Sequence, residues 1–269
     1  TSPKSTRAEA FRQLRTNMQF VEVAEGRKSI VMTSSIPSEG KSSTIANLAI
    51  AMADTGAKVL LVDCDLRKPK MHKYFSVEGA VGLTNLLIGQ VKPADVIQRW
   101  GRKHLDLLPA GQVPPNPSEL LGSEAMKKFL AKAEKDYDVV LIDTAPLLPV
   151  TDAAILSKIS GGVALVVAVG KTTKPQLSAA LGHVEAIGGK VLGFVMNKIP
   201  TKGVDAYRYR YSYKYGSYGA YGAYGKYGYG KYGAYGAYGA YTQAYGEEAT
   251  EKAESKPAPK TTRKSTKKA

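Results

Sequence analysis

Short runs that are apolar at nearly every position alternate with longer stretches of helical spacing through the first 200 residues. Ser29–Thr33, Lys58–Val62, Leu105–Leu108, Val139–Ile142, Val163–Val169 and Val191–Met196 have strand length and no regular polar alternation. That is the pattern of strands covered on both faces. Between them Ser42–Asp54, Ser123–Lys135, Asp152–Ile159 and Gln176–Ile187 read as helices, the first closed by Gly56 and the last by Gly188 and Gly189. Ser5–Phe20 is an amphipathic helix capped by Ser5 or Thr6, with Ala8, Phe11, Leu14 (or Arg15) and Met18 on its apolar stripe. Residues 68–100 read as short helices and loops, and a Pro-rich stretch at 114–117 leads into the Ser123 helix. This alternation predicts an α/β fold, a mostly parallel central sheet with helices on both faces. Strand order is not readable from it.

Composition sets where that fold ends. Of the 269 residues, those after Ile199 include no Leu, Ile, Met, Phe, Trp or Cys, so they have almost no aliphatic surface to bury. The chain is therefore read as one domain over residues 1–200, a Tyr/Gly-rich tail over 201–246 and a basic Lys/Ala/Pro/Thr tail over 247–269. Residues 201–269 carry 13 Lys and Arg against 5 Asp and Glu, a dense positive charge that suits acidic partners. Cys64 is alone, which excludes an internal disulfide framework and fits a reducing compartment. No stretch reaches 18 apolar residues and the N-terminus has no apolar leader, so a soluble chain is expected. It opens on Thr1 and not on Met, and is expected to be a piece of something longer.

The strongest chemical signal lies between the first strand and the helix after it. Ser35, Ile36, Pro37, Ser38, Glu39, Gly40, Lys41 and Ser42, followed by Ser43, have the spacing of a phosphate loop, with Ser35 where the pattern has Gly. Backbone N–H groups there converge on phosphate oxygens and the helix dipole favours the negative charge. Gly40 lets the backbone approach, Lys41 reaches the β- and γ-phosphates, and the Ser42 hydroxyl ligates Mg²⁺. The sheet is accordingly expected to be of P-loop NTPase type. Strand Lys58–Val62 runs out into Asp63, Asp65 and Arg67, and strand Val139–Ile142 into Asp143. Carboxylates at the carboxyl ends of parallel strands sit on the edge where ligands bind, and can hold Mg²⁺. Cys64 is read as a core side chain between two of them. His72, His104 and His183 lack ligand spacing, and no zinc pattern is present.

TSSIPSEGKSS, VLLVDCDLRKP and DVVLIDTAP together resemble the Walker A, Walker A′ and Walker B motifs of the bacterial tyrosine kinases, P-loop enzymes of exopolysaccharide and capsule assembly. Glu9-x-x-Arg12-x-x-Arg15, Gly82-Leu-Thr-Asn-Leu-Leu87, Pro115-Asn-Pro-Ser-Glu-Leu-Leu121 and the tyrosine-rich C-terminus match as well, over about residues 5–200 and the tail. The resemblance implies a protein-tyrosine kinase using ATP (yielding ADP) and Mg²⁺. Lys41 would hold phosphates, and Ser42, Asp65 and Asp143 would hold Mg²⁺. Asp63 would accept the tyrosine proton, Arg67 would support the site electrostatically, and Asn197 would lie where related ATPases read adenine. It further implies that Glu9, Arg12 and Arg15 pack copies into a ring-like homo-oligomer. A membrane polysaccharide co-polymerase, separate or fused upstream, would activate it at the inner face of the cell membrane. Sugar-nucleotide enzymes are implied as further substrates.

Fifteen of the seventeen tyrosines fall in the tail: Tyr207, Tyr209, Tyr211, Tyr213 and Tyr215 at a period of two, then Tyr218, Tyr221, Tyr224, Tyr227, Tyr229, Tyr232, Tyr235, Tyr238, Tyr241 and Tyr245 in a Tyr-Gly-rich repeat. Glycine at that density carries a high ordering entropy with little burial in return, so a mobile string of phosphoacceptors is expected. Two rival readings exist. A partitioning or positioning ATPase shares the second motif, but Ile36 stands where such proteins place an early lysine, and they lack the tyrosine string. A nucleotide-binding scaffold whose Tyr/Gly/Arg tail binds nucleic acid is the other; nucleic acid is not expected as the main partner.

Overall fold

The computed structural model describes residues 5–21, 26–101 and 104–200; the fifteen tail tyrosines and both expected tail segments lie outside them. Strands β1 (Ser29–Ser34), β2 (Val59–Asp63), β3 (Gln98–Arg99), β4 (Leu105–Leu108), β5 (Val139–Asp143), β6 (Val163–Ala168) and β7 (Val191–Asn197) form one sheet in the order β3-β4-β2-β5-β1-β6-β7. All neighbours are parallel except β3, which pairs antiparallel to β4 through two residues. The helices are α1 (Thr6–Gln19), α2 (Lys41–Ala53), α3 (Met71–Phe75), α4 (Leu83–Leu87), α5 (Pro93–Val96), α6 (Pro117–Leu121), α7 (Glu124–Asp136), α8 (Asp152–Ile159) and α9 (Lys174–Glu185).

Alternate residues of each apolar strand feed different cores, as two-faced burial requires. Leu60 and Val62 of β2, Val140 and Ile142 of β5 and Val31 of β1 point into a core with Leu83, Leu121, Leu130 and Leu156. Leu61, Leu141 and Met32 point to the opposite face, where they meet Ile45 and Leu48 of α2 and Met71 and Phe75 of α3. Met18 and Leu14 bring α1 onto that second face. Cys64 belongs to the first core and is fully buried, as read. Among the described residues no helix is long and apolar enough to cross a membrane.

The departures from the expected elements have local causes. Helix α9 starts at Lys174 and not at Gln176, because Thr173 accepts from Gln176 N while the Gln176 side chain accepts from Thr173 N, a reciprocal cap set ahead of the apolar spacing. Helix α2 begins at Lys41 because Gly40 adopts φ +97°, which ends the loop there. Strand β3 and helix α6 are too short for periodicity to show. Glu134, buried in α7, accepts from Lys28 N, Ser29 N and the Ser29 hydroxyl, and so ties α7 to the start of the central strand β1.

Candidate active site

The order of strands puts β1 between β5 and β6, so the loop leaving its carboxyl end opens at the crevice of the sheet. That loop, 35–40, is held from several sides. Glu39 is wholly buried: it accepts from Ile36 N at 2.7 Å and Ala168 N at 3.1 Å, and from the Thr172 hydroxyl. Lys171 Nζ donates to Pro37 O and Lys198 Nζ to Ser38 O, each at 2.7 Å, and Asn197 Nδ2 donates to Glu39 O at 2.8 Å. Asn197 thus lies against the loop, where a Cβ on Gly40 would stand 2.1 Å from its amide nitrogen. Ser38 also adopts positive φ, at +65°. Glu39→Ala would take the acceptor from the Ile36 N–H and from the Thr172 hydroxyl, while Ala168 N keeps Thr172 Oγ1 at 3.2 Å, a loss of about 1–3 kcal/mol. We expect a lowered melting temperature and nucleotide affinity weaker by roughly tenfold or more, read by thermal melts and by titration with a fluorescent ADP.

Below the loop, three acids face one cation. Asp63 and Asp143 are register partners across β2 and β5. Lys41 Nζ sits 2.9 Å from Asp65 Oδ2, 3.4 Å from Asp143 Oδ1 and 3.1 Å from Ser42 Oγ. Burial opposes the Lys41 charge, but Asp143 and Asp65 outweigh it and raise its pKa. Burial pushes Asp143 up to about 7, against the pull of Lys41 and with the push of Asp63. Asp63 is pushed up to about 6, again chiefly by burial and opposed by the Met71 and Lys70 amides. Those amides donate to Asp63 Oδ2 at 2.9 Å each, and Asp65 N donates to Oδ1 at 3.2 Å. Asp65 in turn accepts from Lys68 N. The two acids of the 63–65 segment therefore shape the turn that follows them.

Arg67 was expected to support this cluster electrostatically. Its guanidinium is clamped on Asp152, Nε to Oδ2 at 2.8 Å and Nη2 to Oδ1 at 3.1 Å, with the Ser118 hydroxyl 2.6 Å from Oδ1, and its charge also interacts with that of Asp65. Asp152 is fully buried at the start of α8 and was read from sequence only as a helix start. Ser118 belongs to the Pro115–Leu121 motif, which thereby acquires a role in orienting Arg67. The Gly82–Leu87 motif is structural: Leu83 N and Thr84 N bond to Pro109 O and Ala110 O, where a Cβ on Gly82 would collide with Pro109 O. Of the three residues expected to join copies, Glu9 and Arg12 pair on the outer side of α1, while Arg15 turns inward and donates to Ala51 O of α2. Lys171 and Lys198 carried no sequence signal.

A wound parallel sheet whose central strand feeds a phosphate loop, with acids closing the neighbouring strands, defines an ATPase-type P-loop domain, and residues 28–188 match the family model of the AAA domain. The chain is 45% identical over 197 residues to tyrosine-protein kinase YwqD of Bacillus subtilis (strain 168), covering 73% of this chain and 83% of that one. Its fold is similar to the kinase domain of the Escherichia coli tyrosine kinase ETK, with TM-score 0.72, 32% identity and coverage of 85% of this chain and 82% of that one. The chimerical protein CapA2B2 is likewise similar, with TM-score 0.70, 40% identity and coverage of 74% and 88%. The chain belongs to the bacterial tyrosine-protein kinases, and its activity is phosphoryl transfer to protein tyrosine.

Proposed function

We propose that this kinase uses ATP and Mg²⁺ to phosphorylate its own tail tyrosines in trans, within an oligomer, and that this regulates exopolysaccharide or capsule synthesis beside a membrane co-polymerase. The observation that carries it is the Lys41 ammonium held between Asp65 and Asp143, with Asp63 adjoining. Residues 35–43 would cradle the phosphates of ATP or ADP, with Asn197 at the loop's edge toward adenine. Lys41 would turn from its carboxylates to the β- and γ-phosphates.

The residues fit Mg²⁺, which takes one or two carboxylates and fills its remaining positions with water and substrate oxygens. Two carboxylates beside a hydroxyl already face a cation in Lys41. Ser42, Asp65 and Asp143 would hold the ion, which when bound neutralises charge on the β- and γ-phosphates.

The incoming tyrosine oxygen forms the bond to the γ-phosphorus as the β–γ bridge breaks and ADP leaves; the phenolic proton passes to Asp63. A carboxylate offers about four acceptor positions. Three amides occupy Asp63, which fixes its orientation and leaves room for that proton. Its raised pKa, about 6, makes it a better base than an exposed carboxylate while keeping it ionised at neutral pH.

Residues 1–200 form the kinase domain in this reading, 201–246 the acceptor string and 247–269 a basic appendage. Each phosphate adds about −1.5 to −2 charges, so a handful would cancel the tail's positive excess and release it from the acidic site. Incubation with ATP and Mg²⁺, followed by mass spectrometry, is expected to find phosphate on several tyrosines between Tyr207 and Tyr245, with a smaller assembly by light scattering afterwards. A tail free of phosphate would refute the reading.

A further inference from the structure

Immediately after Asp65 the chain turns through a groove of about 720 Å³ lined by Lys68, Pro69, Lys70, His72, Lys73 and Tyr74. The backbone of this turn is part of the site, since the Lys70 and Met71 amides bond Asp63 and the Lys68 amide bonds Asp65. The side chains of Lys68, Lys70, Lys73 and Tyr74 are instead exposed. Glu78, the next acid along the chain, accepts from the amides of Gly79 and Ala80 within its own turn. The face bordering the proposed base is therefore basic, with a half-exposed aromatic ring beside it.

The tail is basic, which makes its few acids informative. Glu247, Glu248, Glu251 and Glu254 are four of the five acidic residues after position 200, and all follow Tyr245 within nine positions. Tyr245 alone among the tail tyrosines is followed by carboxylates within three residues. An extended chain covers about 3.3–3.6 Å per residue. Glu247 and Glu248 could thus engage lysines of the 68–73 turn while Tyr245 stands at the carboxylate those lysines' backbone holds.

Building on the kinase reading, we propose that the Lys68–Tyr74 groove is a substrate-docking site for the acidic segment 247–254 of a second copy of this chain. It would set Tyr245 as a preferred acceptor. The juxtaposition of a basic groove with the proposed base, and of an acidic run with one tyrosine, supplies both register and sign.

The test mixes wild-type or Lys68→Glu/Lys70→Glu/Lys73→Glu kinase with isotopically labelled full-length Lys41→Met chain as acceptor. The acceptor carries either its own tail or one with Glu247, Glu248, Glu251 and Glu254 all changed to Lys. The triple variant is expected to raise KM for the native tail by roughly tenfold, as three exposed charge pairs would, and to lower the share of phosphate on Tyr245. The charge-reversed tail should restore KM for the triple variant. An unchanged KM, or a loss that the reversed tail does not restore, overturns the docking site. A variant that keeps its KM but loses affinity for a DNA oligonucleotide also overturns it, because the groove would then serve another polyanion. Failure of the wild-type kinase to label any tail would remove the kinase reading itself, a result visible before any groove variant is compared.

Discussion

Lys41→Met is expected to abolish tail phosphorylation, by roughly 10³-fold or more, and to destabilise the domain in a pH-dependent way. The first effect follows from the ammonium held between Asp65 and Asp143 at the start of α2, without which the transferring phosphoryl group loses that positive charge. The second follows from what remains behind. Removing one partner of a buried ion pair costs about 3–5 kcal/mol, because the other charge is left without compensation. Here Asp65 and Asp143 both lose their ammonium.

The sign is set by Asp143, whose folded pKa of about 7 lies above its ordinary 3.8. Such a group favours the folded state only while protonated, and its contribution is lost as pH rises through about 7. Without Lys41 to offset the burial, the penalty for ionising it grows. The variant should therefore melt about 10 °C below wild type at pH 8.5 and much closer to it at pH 5.5. Calorimetry at both pH values, beside a phosphorylation assay, checks the two halves separately. A pH-independent deficit would mean that Lys41 contributes packing and not charge.

How much of this was legible beforehand depends on the range of each interaction. The phosphate loop was legible because its spacing, the apolar run before it and the helix after it are all contained in residues 29–54. Asp63 and Asp143 were legible because a carboxylate ending an apolar run can only stand at a strand's exit, and register then sets them side by side. Arg67 was visible but its partner was not, since Asp152 lies 85 positions away and reads locally as an ordinary helix start. For Glu39 the loop's spacing was visible but the side chain's partner was not, since Ala168 lies 129 positions on. Strand order eluded the sequence because β1, β2, β5 and β6 share much the same apolar character. Which one lies centrally is decided by how the crossover helices pack, and not by any local residue choice. The Thr173–Gln176 cap, by contrast, was in plain sight and outranked by periodicity.

Asp63→Asn separates base chemistry from architecture. The amide oxygen of Asn can still accept from the Lys70 and Met71 amides, so the turn that carries Lys68–Tyr74 should persist. Its NH₂ would face the Asp65 N–H in place of an acceptor, at a cost on the order of 1 kcal/mol. At pH 8 that loss is partly offset, because burial of a charged carboxylate with a pKa of about 6 is relieved. The melting temperature should accordingly stay within a few degrees of wild type. Phosphorylation of tyrosine, however, should fall by about 10²–10⁴-fold, the range set by loss of a general base.

The pH profile then discriminates further. In the wild type both Asp63, at about 6, and Asp143, at about 7, must be ionised, the first to take the proton and the second to face the metal. Log kcat/KM should therefore climb with a slope approaching two below pH 5.5 and flatten above 7.5. In Asp63→Asn only Asp143 remains to titrate, so the slope should drop to one while the residual rate still saturates near neutrality. An unchanged slope would assign the lower titration to another group and remove Asp63 from the proton path. Asp63→Glu, which restores a carboxylate on a longer stem, should recover the second proton in the profile even if it recovers little of the rate.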